Sequence, residues 1–211
     1  MGTADAAGLR SARRQTGHPA SSACGCPAAT PHGRRGERLR NEDTVMKALS
    51  QDEIRKSFVN CSKGEAKSLS LPSRFDEIAW EVQDFLGWRD AKARERAYLV
   101  VPQGEETIGL ALRAAPARRS GLRSNMCAFC LTVHSLSDIA LFSARRAGAA
   151  GRLGNTVGTY VCADLACPLY LRGKRKPDMR QTRESLTEDE LLARMMGNVH
   201  GFVEQALRAD V

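Results

Sequence analysis

Cys127-Ala-Phe-Cys130 and Cys162-Ala-Asp-Leu-Ala-Cys167 are two close cysteine pairs separated by residues 131–161. The first is a C-x2-C knuckle, whose tight turn can aim two sulfurs at one point. The second pair, C-x4-C, can leave a strand with its first cysteine and enter a helix N-terminus with its second. That end carries partial positive charge and favours thiolates. Zn²⁺ accepts four thiolates in a closed tetrahedron, so Cys127, Cys130, Cys162 and Cys167 are read as its ligands. Burial of four free thiols and a redox dithiol are the competing readings. A redox pair, however, needs no second pair. A site with four cysteine ligands keeps no open coordination position, so no catalysis by the metal is expected. His134 stands near the knuckle but is not needed as a ligand.

Two basic clusters are tied to this scaffold. Arg145 and Arg146, with Arg152, lie between the cysteine pairs, and Arg172-Gly-Lys174-Arg175-Lys176 follows the second. A run of charge is most often a solvated face. Here both clusters belong to one small metal scaffold, and Tyr160 and Tyr170 flank the second pair, which suggests a binding surface. The formal net charge of +8 points to an anionic partner such as RNA, the ribosome or an acidic protein.

Outward from the cysteines, Ile139–Ser143 and Thr156–Val161 read as strands, and a short helix should place Cys167 in its first turn. Thr187 and Glu190 form a capping box that starts a last, amphipathic helix. Upstream, Ala97–Val101 and Ile108–Leu112 read as a hairpin, and Ala114–Ser124 as a loop. Ser50 with Glu53 caps a helix over 51–60. The 3.6-residue spacing of Phe75, Ile78, Val82 and Phe85 predicts a second helix, from Ser73 or Asp76 to Leu86. Gly87 would be its C′ residue, with Trp88 closing over its end. Residues 1–45 carry no apolar periodicity and read as disordered, with Cys24 and Cys26 a poor metal pair and Met46 a candidate start.

The expected fold is therefore α+β. A disordered extension (1–45) precedes an N-terminal helical domain (46–92). A C-terminal treble-clef zinc domain (93–211) follows, with a small antiparallel sheet and a C-terminal helix. No apolar stretch is long enough to span a membrane. Without a secretory signal the cytoplasm is the expected compartment, where cysteines bind metal rather than pair. No spaced Ser/His/acid set and no phosphate loop is present, so no enzyme and no small-molecule substrate are expected.

Phe58-Val-Asn-Cys-Ser-Lys-Gly-Glu-Ala-Lys67, Phe85-Leu-Gly-Trp-Arg-Asp90, the two cysteine pairs, Arg145-Arg-Ala-Gly148 and Gly158-Thr-Tyr-Val-Cys162 together resemble the elongation factor G-binding (FusB-type) family. The resemblance covers roughly residues 47–208 and is closest to the chromosomal versions of high-GC Gram-positive bacteria. It implies a non-enzymatic zinc protein that binds elongation factor G and promotes its release from the ribosome, as in fusidic acid resistance. By similarity the contact residues are Tyr160, Tyr170, Arg172, Lys174 and Arg175, with the ribosome or rRNA a further partner and a monomer the expected state. The 45-residue extension and arginine-rich loops depart from the resistance proteins. A nucleic-acid-binding zinc finger is the alternative.

Overall fold

Phe85 and Leu86 are adjacent in the chain and bury on opposite sides of one sheet. That alternation is the signature of a strand, and it organises the N-terminal half. In the computed structural model, which describes residues 45–116, 124–182 and 184–208, strand β1 (Leu86–Arg89) opens a five-stranded antiparallel sheet. It continues with β2 (Arg96–Gln103), β3 (Glu106–Pro116), β6 (Ile139–Arg145) and β7 (Thr156–Cys162), paired in the order β1-β2-β3-β6-β7. The short ribbon of β4 (Ser124–Met126) and β5 (Val133–Ser135) carries the first cysteine pair in its turn. The expected hairpin is present and longer, with Val101 opposite Ile108. Cys24, Cys26 and the remainder of residues 1–44 lie outside the described residues, as do 117–123.

The helix expected up to Leu86 is a correction. Residues Phe75–Glu77 and Trp80–Val82 form single 3-10 turns, followed by β1. The 3.6-residue spacing misleads because its members do not share a core. Phe75 and Ile78 pack into one cluster, and Phe85 into the other across the sheet, which no single helix face allows. Gly87 is not a C′ residue. It sits within β1, where an added Cβ would stand 2.5 Å from the Cβ of Leu165 in the second cysteine pair. Trp88 packs its ring against Tyr98, with centroids 5.1 Å apart, and donates its indole N–H to the Ser70 carbonyl.

One face of the sheet is covered by helices α1 (Gln51–Ser57) and α2 (Lys63–Ser68), each started by a complete capping box, Ser50/Glu53 and Ser62/Glu65. Ile54, Phe58, Ala66 and Leu69 bury there with Leu86, Trp88, Tyr98 and Val100. The other face is covered by the long helix α5 (Glu188–Leu207), capped by Thr187 and Glu190. Its apolar stripe, from Leu192 through Ala206, joins Leu99, Val101, Leu110, Phe142 and the four cysteines. The described residues fall in one compact unit, and the boundary expected at 92–93 lies in the turn joining the paired strands β1 and β2. No helix among the described residues is long and apolar enough to cross a membrane.

Beyond Leu112, β3 pairs with β6, but nearer its start that edge is open. The segment after α1 closes it. Phe58 bridges Gly109 in parallel, and the Val59 N–H bonds the Gly109 carbonyl. Asn60 then replaces a peptide with its own amide. Its Oδ1 accepts from the Ala111 N–H, and its Nδ2 donates to the carbonyls of Ala111 and Arg145. Gly109 permits the approach, since a Cβ there would lie 2.5 Å from the Ser57 hydroxyl. Asn60→Ala leaves one N–H and two carbonyls without these partners and is expected to cost about 2–3 kcal/mol. Urea unfolding measures it, and a loss below about 0.5 kcal/mol would show that the amide is not a staple.

Candidate metal centre

Each cysteine pair is presented by a backbone turn that the sequence makes locally. After Cys127, the Leu131 N–H returns to the Cys127 carbonyl and the Cys127 N–H bonds the Thr132 carbonyl. After Cys162, the Leu165 N–H returns to the Cys162 carbonyl. The described residues hold two non-glycine residues of positive φ, and they fall one in each knuckle: Leu131 at 60° and Leu165 at 56°. The left-handed conformation costs a residue with a Cβ about 1–2 kcal/mol. Both knuckles therefore carry strain that some stronger interaction must hold.

Helix α4 (Cys167–Leu171) begins on the fourth cysteine, with Pro168 in its first turn. Asp164 shapes the approach by accepting the Ala166 N–H at 3.1 Å. The knuckles are fixed to the sheet and to α5. Ala128 N–H bonds the Tyr160 carbonyl, and Asn198 Nδ2 donates to the Phe129 carbonyl. The Phe129 ring lies between those of Phe85 and Phe202.

The four sulfurs converge. Cys127 and Cys167 are 3.7 Å apart and Cys130 and Cys162 3.6 Å apart, all buried and none in a disulfide. A zinc tetrahedron with bonds of about 2.3 Å has S···S edges of about 3.8 Å, a length these two edges already have, and all four sulfurs lie within 4.8 Å of one another. The Cys162 N–H points at Cys127 Sγ at 3.4 Å, a donor suited to a metal-bound thiolate. Burial pushes the Cys167 thiol up, with the neighbouring cysteine sulfurs acting in the same direction. Four thiolates in this dry pocket thus require a cation. The donor set and its spacing fit Zn²⁺, which would neutralise half of the thiolate charge and hold two strained turns against one sheet.

His134 is not needed as a ligand, and its position gives it a different part. It is buried in β5, with Nε2 3.4 Å from Cys162 Sγ and its ring edge-on to Tyr170. Such a contact orients a thiolate ligand. Asp138 and Asp178 lie near it, but Ser135 already donates to both carboxylates.

The model of the FBP C-terminal treble-clef zinc-finger family matches residues 53–206, well over half of the chain. The chain belongs to this family. Compared with curated proteins and with solved structures, it matches none. The family name describes what the geometry shows: a knuckle in β4–β5, the hairpin β6–β7, and a second pair leading into α4.

In this FBP domain the basic and aromatic residues singled out in the sequence fall into two groups. Arg145 and Tyr160 share one face of the β6–β7 hairpin, where Thr156, Gly158 and Tyr160 are exposed. Arg146 precedes α3 (Gly148–Arg152), and its N–H bonds the Asn155 carbonyl. The second group gathers behind Cys167. Tyr170 donates its hydroxyl to Asp164, and burial with that contact pushes the phenol up. Arg175 pairs with Asp164 at 2.8 Å and lies over the Tyr170 ring. Arg172 is largely buried in a two-pronged ion pair with fully buried Asp84. Lys174 is exposed. Asp84 and Asp164 hold this second group in place, a role that the sequence alone does not reveal. Asp164 was marked there only by its position inside the C-x4-C spacing, and Asp84 by nothing local.

Proposed function

We propose that this FBP-family protein binds translation elongation factor G and promotes its release from the ribosome, as a non-enzymatic protein of the cytoplasm. The observation that carries the reading is a closed four-cysteine centre locked to a sheet that presents Tyr160, 38% exposed, together with Arg145. A site with four protein ligands has no position for a substrate. Its service is rigidity, which lowers the ordering cost of binding. Lys174 and Arg175, in the group behind Cys167, are the further contacts proposed, while Arg172 holds its segment to the body through Asp84. Release of a stalled factor requires preference for its detached or altered conformation, since equal affinity shifts nothing.

The test is a titration of purified elongation factor G at two salt concentrations. A stoichiometric complex is expected, weakened at least about tenfold, or about 1.4 kcal/mol, by Tyr160→Ala combined with Lys174→Glu. Absence of a complex at moderate salt would remove the reading. The net charge of +8 supports a second one, direct binding to rRNA or DNA. It predicts affinity falling steeply with salt in proportion to the phosphates contacted.

A further inference from the structure

Arg96 and Arg113 stand directly opposite each other on β2 and β3. Arg113 in turn faces Ser143, and Arg145 follows two residues later on the same face of β6. Like charges opposite one another on antiparallel strands destabilise the sheet. Three arginines have nonetheless been gathered on one face, at the margin where the cover of α1 and α2 ends. None of them forms an ion pair among the described residues.

These arginines line a cleft of about 240 Å³. Its wall opposite the strands is Asn60, Cys61, Glu65 and Leu69, and Tyr98 contributes an aromatic surface from β2. Glu65 is the one carboxylate of the lining. It is engaged in capping α2, accepting the Ser62 N–H at 2.8 Å, which with the nearby Arg145 and Arg96 holds it below the usual carboxylate range. The lining therefore keeps a surplus of two positive charges (three arginines less one glutamate).

We propose that this cleft binds a small phosphorylated molecule, its phosphate held by Arg96, Arg113 and Arg145 and its body lying against Tyr98 and Leu69. The surplus matches a phosphomonoester, which carries about −1.5 to −2 at neutral pH. Planar guanidinium forks suit tetrahedral oxyanions. The volume exceeds that of a bare phosphate, and the apolar wall gives the rest of the molecule a surface. The ligand would also remove the repulsion across β2 and β3, so binding and sheet stability are coupled. Arg145 is shared with the proposed factor-binding face, whereas Arg96 and Arg113, the residues varied in the test, are not part of it.

Cys61 provides a local readout, because its half-buried thiol lines the cleft. Full-length zinc-loaded protein is alkylated with iodoacetamide at mildly alkaline pH, and modification of Cys61 is followed by peptide mass mapping. Phenyl phosphate and inorganic phosphate are compared with potassium chloride at equal ionic strength. Saturable protection is expected, about tenfold at ten times the dissociation constant, with phenyl phosphate the tighter probe. Arg113→Gln should abolish the protection while leaving the melting temperature without ligand equal or higher, as relief of the Arg96 contact requires. Arg96→Gln is the second variant, to be read in the same way. Protection no greater than that of chloride, protection unchanged in both variants, or protection by an RNA oligonucleotide but by neither phosphate probe would each overturn the proposal.

Discussion

Cys162→Ser is expected to release the metal and to abolish cooperative folding of the sheet and α5. The four sulfurs lie in the same buried cluster as the α5 stripe and the central strands, so the metal site and the main core are one packing unit. Structural zinc contributes about 10–16 kcal/mol in small zinc-finger peptides, against a total stability of about 5–15 kcal/mol for a domain. Removing one thiolate also leaves Leu131 and Leu165 in left-handed turns without the metal that offsets their strain. Cys130 Sγ and His134 Nε2 lose the partner that both touch at Cys162. Elemental analysis should fall from one zinc per chain to none, and the thermal transition of the wild type should disappear. A chelator should do the same to the wild-type protein. Cooperative melting at the wild-type temperature in the variant would show that the core holds together without metal.

The local parts of this architecture were legible in the sequence because their causes are local. Ser50/Glu53 and Thr187/Glu190 are capping boxes in both sequence and structure. The cysteine spacing contains the turn geometry that the zinc centre needs. Ser62 and Glu65 form the same box, but the helix it starts, α2, is only six residues long with a single buried residue, Ala66, so no amphipathic period marks it in the sequence. The region from Phe75 to Phe85 misleads for another reason. Apolar spacing reports that residues are buried, not which side of a sheet buries them, and a second core on the far face leaves no mark in it. Asn60 closing the β3 edge, and Arg172 reaching Asp84 across 88 positions, are set by tertiary register and leave no periodic trace.

Asp84→Ala is expected to be the most damaging substitution outside the metal ligands. The side chain of Asp84 is fully buried and that of Arg172 is 11% exposed, and the two meet through both terminal guanidinium nitrogens. Removal of the carboxylate leaves a guanidinium, which cannot deprotonate, facing a protein interior. Breaking a buried pair in this way costs about 3–5 kcal/mol, more than the loss of the Asn60 staple. The damage should spread, because Arg172 ends the helix that Cys167 begins, and Leu165 of the same knuckle presses on Gly87 three residues beyond Asp84. Urea unfolding of Asp84→Ala, Arg172→Met and the double variant separates the contributions. The double variant should regain part of what Asp84→Ala loses, since an apolar pair leaves no unmatched charge behind. If the single variants each cost under about 1 kcal/mol, typical of an exposed ion pair, the interior of this contact is wetter than its burial indicates. The clasp between the β1 region and the zinc knuckles would then rest on apolar packing, Gly87 against Leu165 and Phe85 against Phe129.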